Sequence, residues 1–427
     1  MSAILRSDQN DTTRGATWFG HPRGLTILFL TEMWEKFSFF GMRALLVYYM
    51  TKQLLFAQGK ASLIYGLYTG VVYFTPIVGG WITDRYLARR TAVIIGGAIM
   101  AAGHFMMAFP PLLYPALATI AIGNGLYLPT LPSQIRALYA PGDARGSIAY
   151  SIYYVGINLG AFLAPFICGT LGEVYGWHWG FGAAGVGMLA GLCVYVFGRP
   201  YLPEDPREAP KESRAPLPPF DAAARSRFAF FVLIVVIVIV FRSAYEQIGN
   251  TLALFADAGT NRTIGGWTIP MTWFQSINPF IVFLLTPFLV RRWTRQSQRT
   301  GRDVPHLRRM ASGATIVASS YLMLAIAAMI SDRSSALVLA TFMVLMTVGE
   351  LHILPVGLGM FGKLAPKGFE ASAIALWFSA GVVGNLLAGA LGTQWSALSH
   401  SQFFTLVAAI AFTSAAALFI VDRRKAS

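Results

Sequence analysis

The chain has 427 residues, 55% apolar and only 12% charged, about half the charged share of a soluble domain. That excludes an ordinary soluble protein: long apolar runs alternate with short charged stretches, the pattern of a polytopic helical membrane protein. The net charge of +14 would fit a nucleic-acid binder, but its distribution along the chain argues for topology instead.

Twelve spans are expected, at 25–51, 61–83, 91–110, 112–138, 148–172, 179–198, 228–256, 269–291, 310–330, 335–362, 370–394 and 401–421. The first 22 residues are polar, and the first apolar run is too long and too charged for a cleavable signal. Twelve is even, so both termini share a side. On that side fall 26 of the 33 lysines and arginines, against four on the other. The remaining three, Lys36, Arg43 and Arg242, lie inside spans. This bias places both termini in the cytoplasm, makes the basic charge mostly topological, and removes nucleic acid as an expected partner. The domain expectation is a cytoplasmic N-terminus at 1–24, a six-helix bundle at 25–198, a cytoplasmic linker at 199–227, a second bundle at 228–421 and a tail at 422–427. The linker, rich in proline and charge, is too polar to span and reads as a tether of low order. A second basic loop is expected at 293–309. Six spans plus six, with shared termini, suit two bundles related by a pseudo-two-fold axis with a substrate site near the midplane.

The first span holds Glu32, Glu35, Lys36 and Arg43 in TEMWEKFSFFGMR. Their helical angles are about 0°, −60°, +40° and +20°, one stripe roughly 100° wide. A charge at the bilayer centre costs about 2.5–3.5 kcal/mol on insertion scales, so the stripe should face protein or a water-filled cavity. A proton-responsive cluster and a static packing network are both open, and ionisable groups at this depth default to function. GGWITDRYLARR places Asp84, Arg85, Arg89 and Arg90 at the cytoplasmic end of the second span, where they can gate a loop or merely flank it. YYVGINLGAF sets Asn158 between Gly156 and Gly160, either to contact substrate or to bond another helix. Glu246 in FRSAYEQIGN and Glu350 in MTVGELHILP are acids that need partners from other helices. Asn278 before Pro279 breaks the backbone ladder of the eighth span. Tyr68, Tyr73, Tyr154 and Trp377 fall near these motifs, and core packing is as open to them as pocket lining. Cys168 and Cys193 sit in apolar runs with no ligand spacing, and the histidines are scattered. No metal site, and no nucleophile paired with a base, is visible.

Taken in order, these motifs resemble the proton-dependent oligopeptide transporter family of the major facilitator superfamily. TEMWEKF resembles its first-helix E-x-x-E-R/K-F motif. GGWITDRYLARR and YYVGINLGAF resemble its signature regions, and YEQIGN, WFQSINP and GELHILPVGLGMFGKLAPK its motifs on helices seven, eight and ten. The resemblance runs from about His21 to the end of the eleventh span. It implies an all-α polytopic membrane protein with 12 transmembrane helices in two six-helix bundles, the major facilitator fold. It also implies a proton-coupled symporter for di- and tripeptides, working by alternating access in the plasma (inner) membrane. The partners would be short peptides, protons and the lipid bilayer. No enzyme activity, metal or cofactor is implied, the proton gradient is the energy source, and a monomer is the expected unit. Carried over by position, Glu32, Glu35, Lys36 and Glu246 match the groups of proton coupling and gating. Arg43, Tyr73, Asn158, Asn278, Glu350 and Trp377 match substrate positions.

Four departures matter. Ala88 stands where the loop motif has glycine, although the motif's charges remain. Phe39 and Phe40 replace a tyrosine pair. Leu128 in GLYLPTLP stands where the family's fourth helix commonly carries a lysine, which leaves a second reading open: the same fold carrying an amino acid, nitrate or a peptide-like compound. The extra two-helix insertion between the halves, frequent in bacterial members, is also absent from the expectation here, because 199–227 is too polar.

Overall fold

The computed structural model describes residues 17–18, 20–140, 143, 145–203, 221–300 and 305–426. In a bilayer each backbone polar group needs an internal partner, which leaves the helix as the spanning form for these apolar runs. The helices are α1 (Arg23–Lys52), α2 (Gln58–Arg85), α3 (Arg89–Met106), α4 (Leu113–Tyr127), α5 (Thr130–Arg136), α6 (Arg145–Ala164) and α7 (Trp177–Gly198). They continue with α8 (Ala222–Tyr245), α9 (Thr251–Ala258), α10 (Trp273–Thr300), α11 (His306–Ile330), α12 (Ala336–Leu364), α13 (Glu370–Gly392) and α14 (His400–Ala426). Two-residue strands pair in the loops, including Thr263–Ile264 with Trp267–Thr268 and Thr260–Asn261 with Ser334–Ser335.

With α4–α5 and α8–α9 each counted as one broken span, twelve membrane-length segments result, the major facilitator fold of two six-helix bundles. Ten of them are long and apolar enough to cross a bilayer on composition alone. The other two are α1, which carries the charged stripe, and α3, which has only 18 residues. Between α7 and α8 the described residues add only the turn Arg199–Tyr201.

Three elements depart from the sequence expectation. The span at 228–256 is not continuous: α8 stops at Tyr245, a tight 3-10 turn covers Glu246–Gly249, and Asn250 (φ −111°, ψ −101°) turns the chain into α9. The span at 112–138 breaks at Leu128–Pro129, where proline lacks the N–H that would continue the ladder. The expected loop at 293–309 is largely helix, because α10 runs on to Thr300 through Arg- and Gln-rich sequence that favours helix once outside the apolar layer.

Packing defines two compact units. The first comprises 1–42 and 75–212, the second 43–74 and 213–427. The second half of α1 and the first half of α2 therefore pack with the C-terminal helices, whereas the sequence expectation assigns all of 25–198 to one bundle. In the first unit, Leu28, Val93, Met100, Tyr127, Met188 and Tyr195 form a buried core. There α6 crosses α1 at backbone contact: a Cβ on Gly160 would lie 2.1 Å from the Met33 carbonyl oxygen. In the second unit, Phe231 stacks on Phe361 at 4.3 Å. The α2–α13 crossing is equally close, since a Cβ on Gly66 would lie 2.5 Å from the Gly389 Cα.

Candidate functional site

The first charged cluster belongs to the first unit. Glu32 and Glu35 are 1% and 0% exposed. Lys36 Nζ lies 3.3 Å from Glu32 Oε1, one helical turn away, and 2.6 Å from Glu35 Oε2. Two carboxylates thus share one ammonium. Glu32 Oε2 and Glu35 Oε1 are buried with no hydrogen-bond partner among the described residues. The Tyr153 hydroxyl of α6 comes close to Glu32, and Tyr127 of α4 donates to the Thr31 carbonyl at 3.3 Å. The small residues of YYVGINLGAF explain this proximity, because Gly160 lets α6 approach the turn of α1 that carries the triad. In place of the expected tyrosine pair, the Phe39 and Phe40 rings meet edge to face at 5.3 Å.

The second cluster belongs to the second unit. Arg43 Nη2 donates to Glu246 Oε2 at 2.8 Å, and Arg43 Nε donates to the Tyr65 hydroxyl at 2.6 Å. Arg242 Nη1 donates to the other oxygen, Glu246 Oε1, at 2.8 Å. Glu246 is therefore not a lone acid. Its helical partner stands four residues earlier in FRSAYE, a spacing readable from sequence as an i, i+4 pair. Arg242 is 7% exposed and its guanidinium carbon lies 5.4 Å from the centroid of the Tyr73 ring. Here two guanidiniums share one carboxylate, the inverse of the first cluster.

The break between α8 and α9 builds this site. Ending α8 at Tyr245 puts Glu246 and Gln247 on a tight turn, where Gln247 Nε2 donates to the Ala388 carbonyl of α13 at 2.9 Å. Gly249 is needed there, because a Cβ would fall 1.9 Å from the Tyr65 hydroxyl. Ser62 of α2 donates to Asn250 Oδ1 at 2.7 Å. At the far end of α9, Asp257 accepts from Tyr48 at 3.2 Å and from Arg262 at 2.9 Å, and pairs with Lys52 at 2.9 Å.

Glu350 of α12 is half-buried and accepts from Asn278 Nδ2 at 2.6 Å. The same amide donates to Thr347 Oγ1 at 3.0 Å. The Tyr245 hydroxyl also reaches Glu350. Asn278 and Glu350, read separately from the sequence, thus form one polar group.

Other expected positions are placed less openly. Asn158 donates to the Tyr154 carbonyl of its own helix at 2.9 Å. Trp377 is buried, its ring filling the space over Gly357, where a Cβ would lie 2.0 Å away, and meeting Phe361 at 5.1 Å. Tyr68 is buried in the same unit. Asp84 is exposed and forms no ion pair among the described residues, while Arg85 lies over Trp81 at 4.8 Å. Arg89 opens α3, and Arg90 donates to the Leu202 carbonyl. Leu128 caps α4 just before the Pro129 break. Near the same face, Arg145 grips Asp143 through Nε and Nη2 and reaches the Gly20 carbonyl at 3.0 Å. These hydrogen bonds hold the Asp143 carboxyl below its ordinary value. The contact is therefore complete above the normal carboxylate range and is lost only as pH falls through the depressed value.

Residues that the sequence reading did not assign to the site are Arg242, Tyr65, Tyr245, Gln247 and Asn250. Only Arg242 carried a clear local signal.

Fold and clusters together define an integral membrane protein of the major facilitator type with buried acid–base groups of opposite charge imbalance. A sequence profile described as the POT family matches residues 90–213 and 221–408, and the chain belongs to that family of transporters. It is 30% identical to the "Uncharacterized transporter YclF" of Bacillus subtilis (strain 168), over 95% of this chain and 94% of the relative. It is 29% identical to a "Di-/tripeptide transporter" of Lactococcus lactis subsp. cremoris, over 97% and 98%. A crystal structure of a point mutant of the peptide transporter POT in complex with alafosfalin superposes with a TM-score of 0.87, at 30% identity, covering 97% of each chain. The sequence alignments extend over 467 and 495 positions against 427 residues here, so these relatives carry stretches without counterpart in this chain. The profile match breaks at 214–220, between α7 and α8.

Proposed function

We propose that the protein is a proton-coupled symporter that imports di- and tripeptides by alternating access. It would act as a monomer in the plasma (inner) membrane with both termini cytoplasmic, the proton gradient as its energy source and no bound cofactor. One observation carries the reading: two buried triads are unbalanced in opposite senses. Glu32, Glu35 and Lys36 hold two acids and one base; Arg43, Arg242 and Glu246 hold two bases and one acid. In a medium of low dielectric each imbalance calls for a counter-ion, and at the second Glu350 lies within electrostatic reach of Arg242 and Glu246 and offsets part of it. A proton suits the first triad, which has orphan carboxylate oxygens. A carboxylate suits the second. Glu350, held by Asn278, supplies an anion for the amine at the other end of a peptide zwitterion. The peptide names of the Lactococcus relative and of the crystallised transporter support this cargo.

The second triad allows exchange at modest cost. Breaking a buried ion pair by removing one partner costs about 3–5 kcal/mol, because the other charge is left uncompensated. When Arg43 turns from Glu246 to a substrate carboxylate, Arg242 remains on Glu246 and that charge stays paired. Arg43 lies seven residues beyond Lys36 on α1, about 10 Å along the axis. A proton at Glu35 that frees Lys36 therefore acts on the helix that carries the substrate anchor.

The experiment is uptake by proteoliposomes under an imposed pH gradient with a di- and tripeptide library. Glu35→Gln is expected to abolish uphill uptake and to spare counterflow exchange. Retained uphill uptake would remove Glu35 from coupling. A second reading, transport of an amino acid, nitrate or a peptide-like compound, rests on Leu128. Failure of these peptides to compete, with competition by one of those solutes, would establish it.

A further inference from the structure

The outward faces of α11 and α14 leave a groove of about 470 Å³ between them. Ala311 and Ala415 are buried at its floor, and Phe412 and Phe419 stand exposed along one wall. The lining runs from Arg308 to Thr315 on α11 and from Phe412 to Phe419 on α14. That is eight residues on each helix, a rise of about 10 Å, most of one leaflet of a hydrocarbon core about 30 Å thick. Its basic end is formed by two arginines. Arg308 lines the groove itself, and the Arg423 guanidinium carbon lies 4.6 Å from the centroid of the Phe419 ring. Neither arginine is paired with a carboxylate among the described residues. The first turn of α11 contains no acid, although this helix end is positive and favours an anion. Ser312 and Thr315 in the lining turn their hydroxyls to the carbonyls of Arg308 and Ala311, so the site is mostly apolar along its length, cationic at one end, and open to the face that lipid covers.

We propose that this groove binds an anionic phospholipid. The phosphate lies between Arg308 and Arg423, and one acyl chain lies over Ala415 and Ala416 against Phe412 and Phe419. A free phosphate would use only the arginine end and leave the apolar length without purpose. A zwitterionic lipid would fill the length but leave the two arginines without net compensation. The site is distinct from both buried triads and does not depend on what the transporter carries.

The test uses the full-length protein, delipidated in detergent and titrated with dioleoyl phosphatidylglycerol or dioleoyl phosphatidylcholine, with bound lipid read by native mass spectrometry. The wild type is expected to favour phosphatidylglycerol by roughly tenfold or more, since each arginine near an anionic headgroup is worth about a fivefold change. Arg308→Gln with Arg423→Gln should remove that preference, and Arg308→Lys with Arg423→Lys should keep most of it. Ala416→Phe fills the apolar length, leaves both charges in place, and should also weaken phosphatidylglycerol retention. A melting temperature within a few degrees of wild type confirms that each variant is folded. Equal retention of the two lipids by the wild type would overturn the proposal, as would full preference in the glutamine variant. Displacement of the lipid by millimolar inorganic phosphate, with Ala416→Phe inert, would assign the arginines to a free anion instead and equally overturn it.

Discussion

At the scale of single residues, Arg242 changes the meaning of its neighbours. With Arg43 alone, Glu246 would be an ordinary ion-pair partner, and releasing Arg43 would strand a buried carboxylate. With Arg242 on the second oxygen, 2.8 Å away, Arg43 becomes the exchangeable member. Removing Arg242 should tie Arg43 to Glu246. Arg242→Gln is therefore expected to raise the KM for a dipeptide about tenfold or more, since 1.4 kcal/mol is tenfold in an equilibrium and a buried charge pair couples by more than that. Adding Glu246→Gln releases Arg43 again and should bring KM back toward wild type. Uptake kinetics on the single and double variants decide the matter; a double variant no better than the single one would show that Arg242 does not work through Glu246.

At the scale of elements, the breaks do more than the straight spans. The turn at Glu246–Gly249 exists because Gly249 lies against Tyr65 and because Gln247 and Asn250 find partners on α13 and α2. Gly249→Ala drives a methyl into the Tyr65 hydroxyl and should destabilise the fold by about 1–3 kcal/mol, as overpacking does. Tyr65→Phe removes the oxygen it strikes. The pair Gly249→Ala with Tyr65→Phe should therefore melt above Gly249→Ala alone in detergent, and no recovery would mean that the strain lies in the backbone of the turn. The crossing of α1 and α6 is set by the same physics. Gly160→Leu has no room beside the Met33 carbonyl oxygen, and should lower both the melting temperature and proton-driven uptake, since it displaces the turn that holds Glu32 and Lys36.

At the scale of the whole molecule, α1 is shared by both packing units: its first part, with Glu32, Glu35 and Lys36, belongs to one, and its second part, with Arg43, to the other. The sequence of α1, Arg23–Lys52, thus carries members of both triads. The orientation proposed from the basic loops, with both termini cytoplasmic, is open to direct measurement. Cysteines introduced at Arg299 or near the C-terminus should resist a membrane-impermeant maleimide in intact cells, while one at Trp267, in the exposed hairpin after α9, should react. Cys193→Ala keeps the background low, since Cys168 is buried and Cys193 exposed. Labelling of Arg299→Cys in intact cells would reverse the assigned topology.

Composition and the period of apolar residues were enough to count the spans, because a helix that crosses a bilayer must be about 20 residues long and mostly apolar. They were enough to mark α1 as exceptional, since four ionisable groups at membrane depth are expensive wherever they face. Motif order gave the family, and Glu32 with Lys36 was legible as a pair because its contact is made within one helix. Arg242 with Glu246 was equally local and could have been read the same way. What only the tertiary structure decided were contacts between segments far apart in sequence. Arg43 with Glu246, Asn278 with Glu350, and Tyr65 under Gly249 join residues 72 to 203 positions apart. Breaks in a helix depend likewise on neighbours that no local pattern records. Trp377 shows the limit most plainly: its identity is compatible with a pocket or a core, and only the packing of α12 against α13 assigned it to the core.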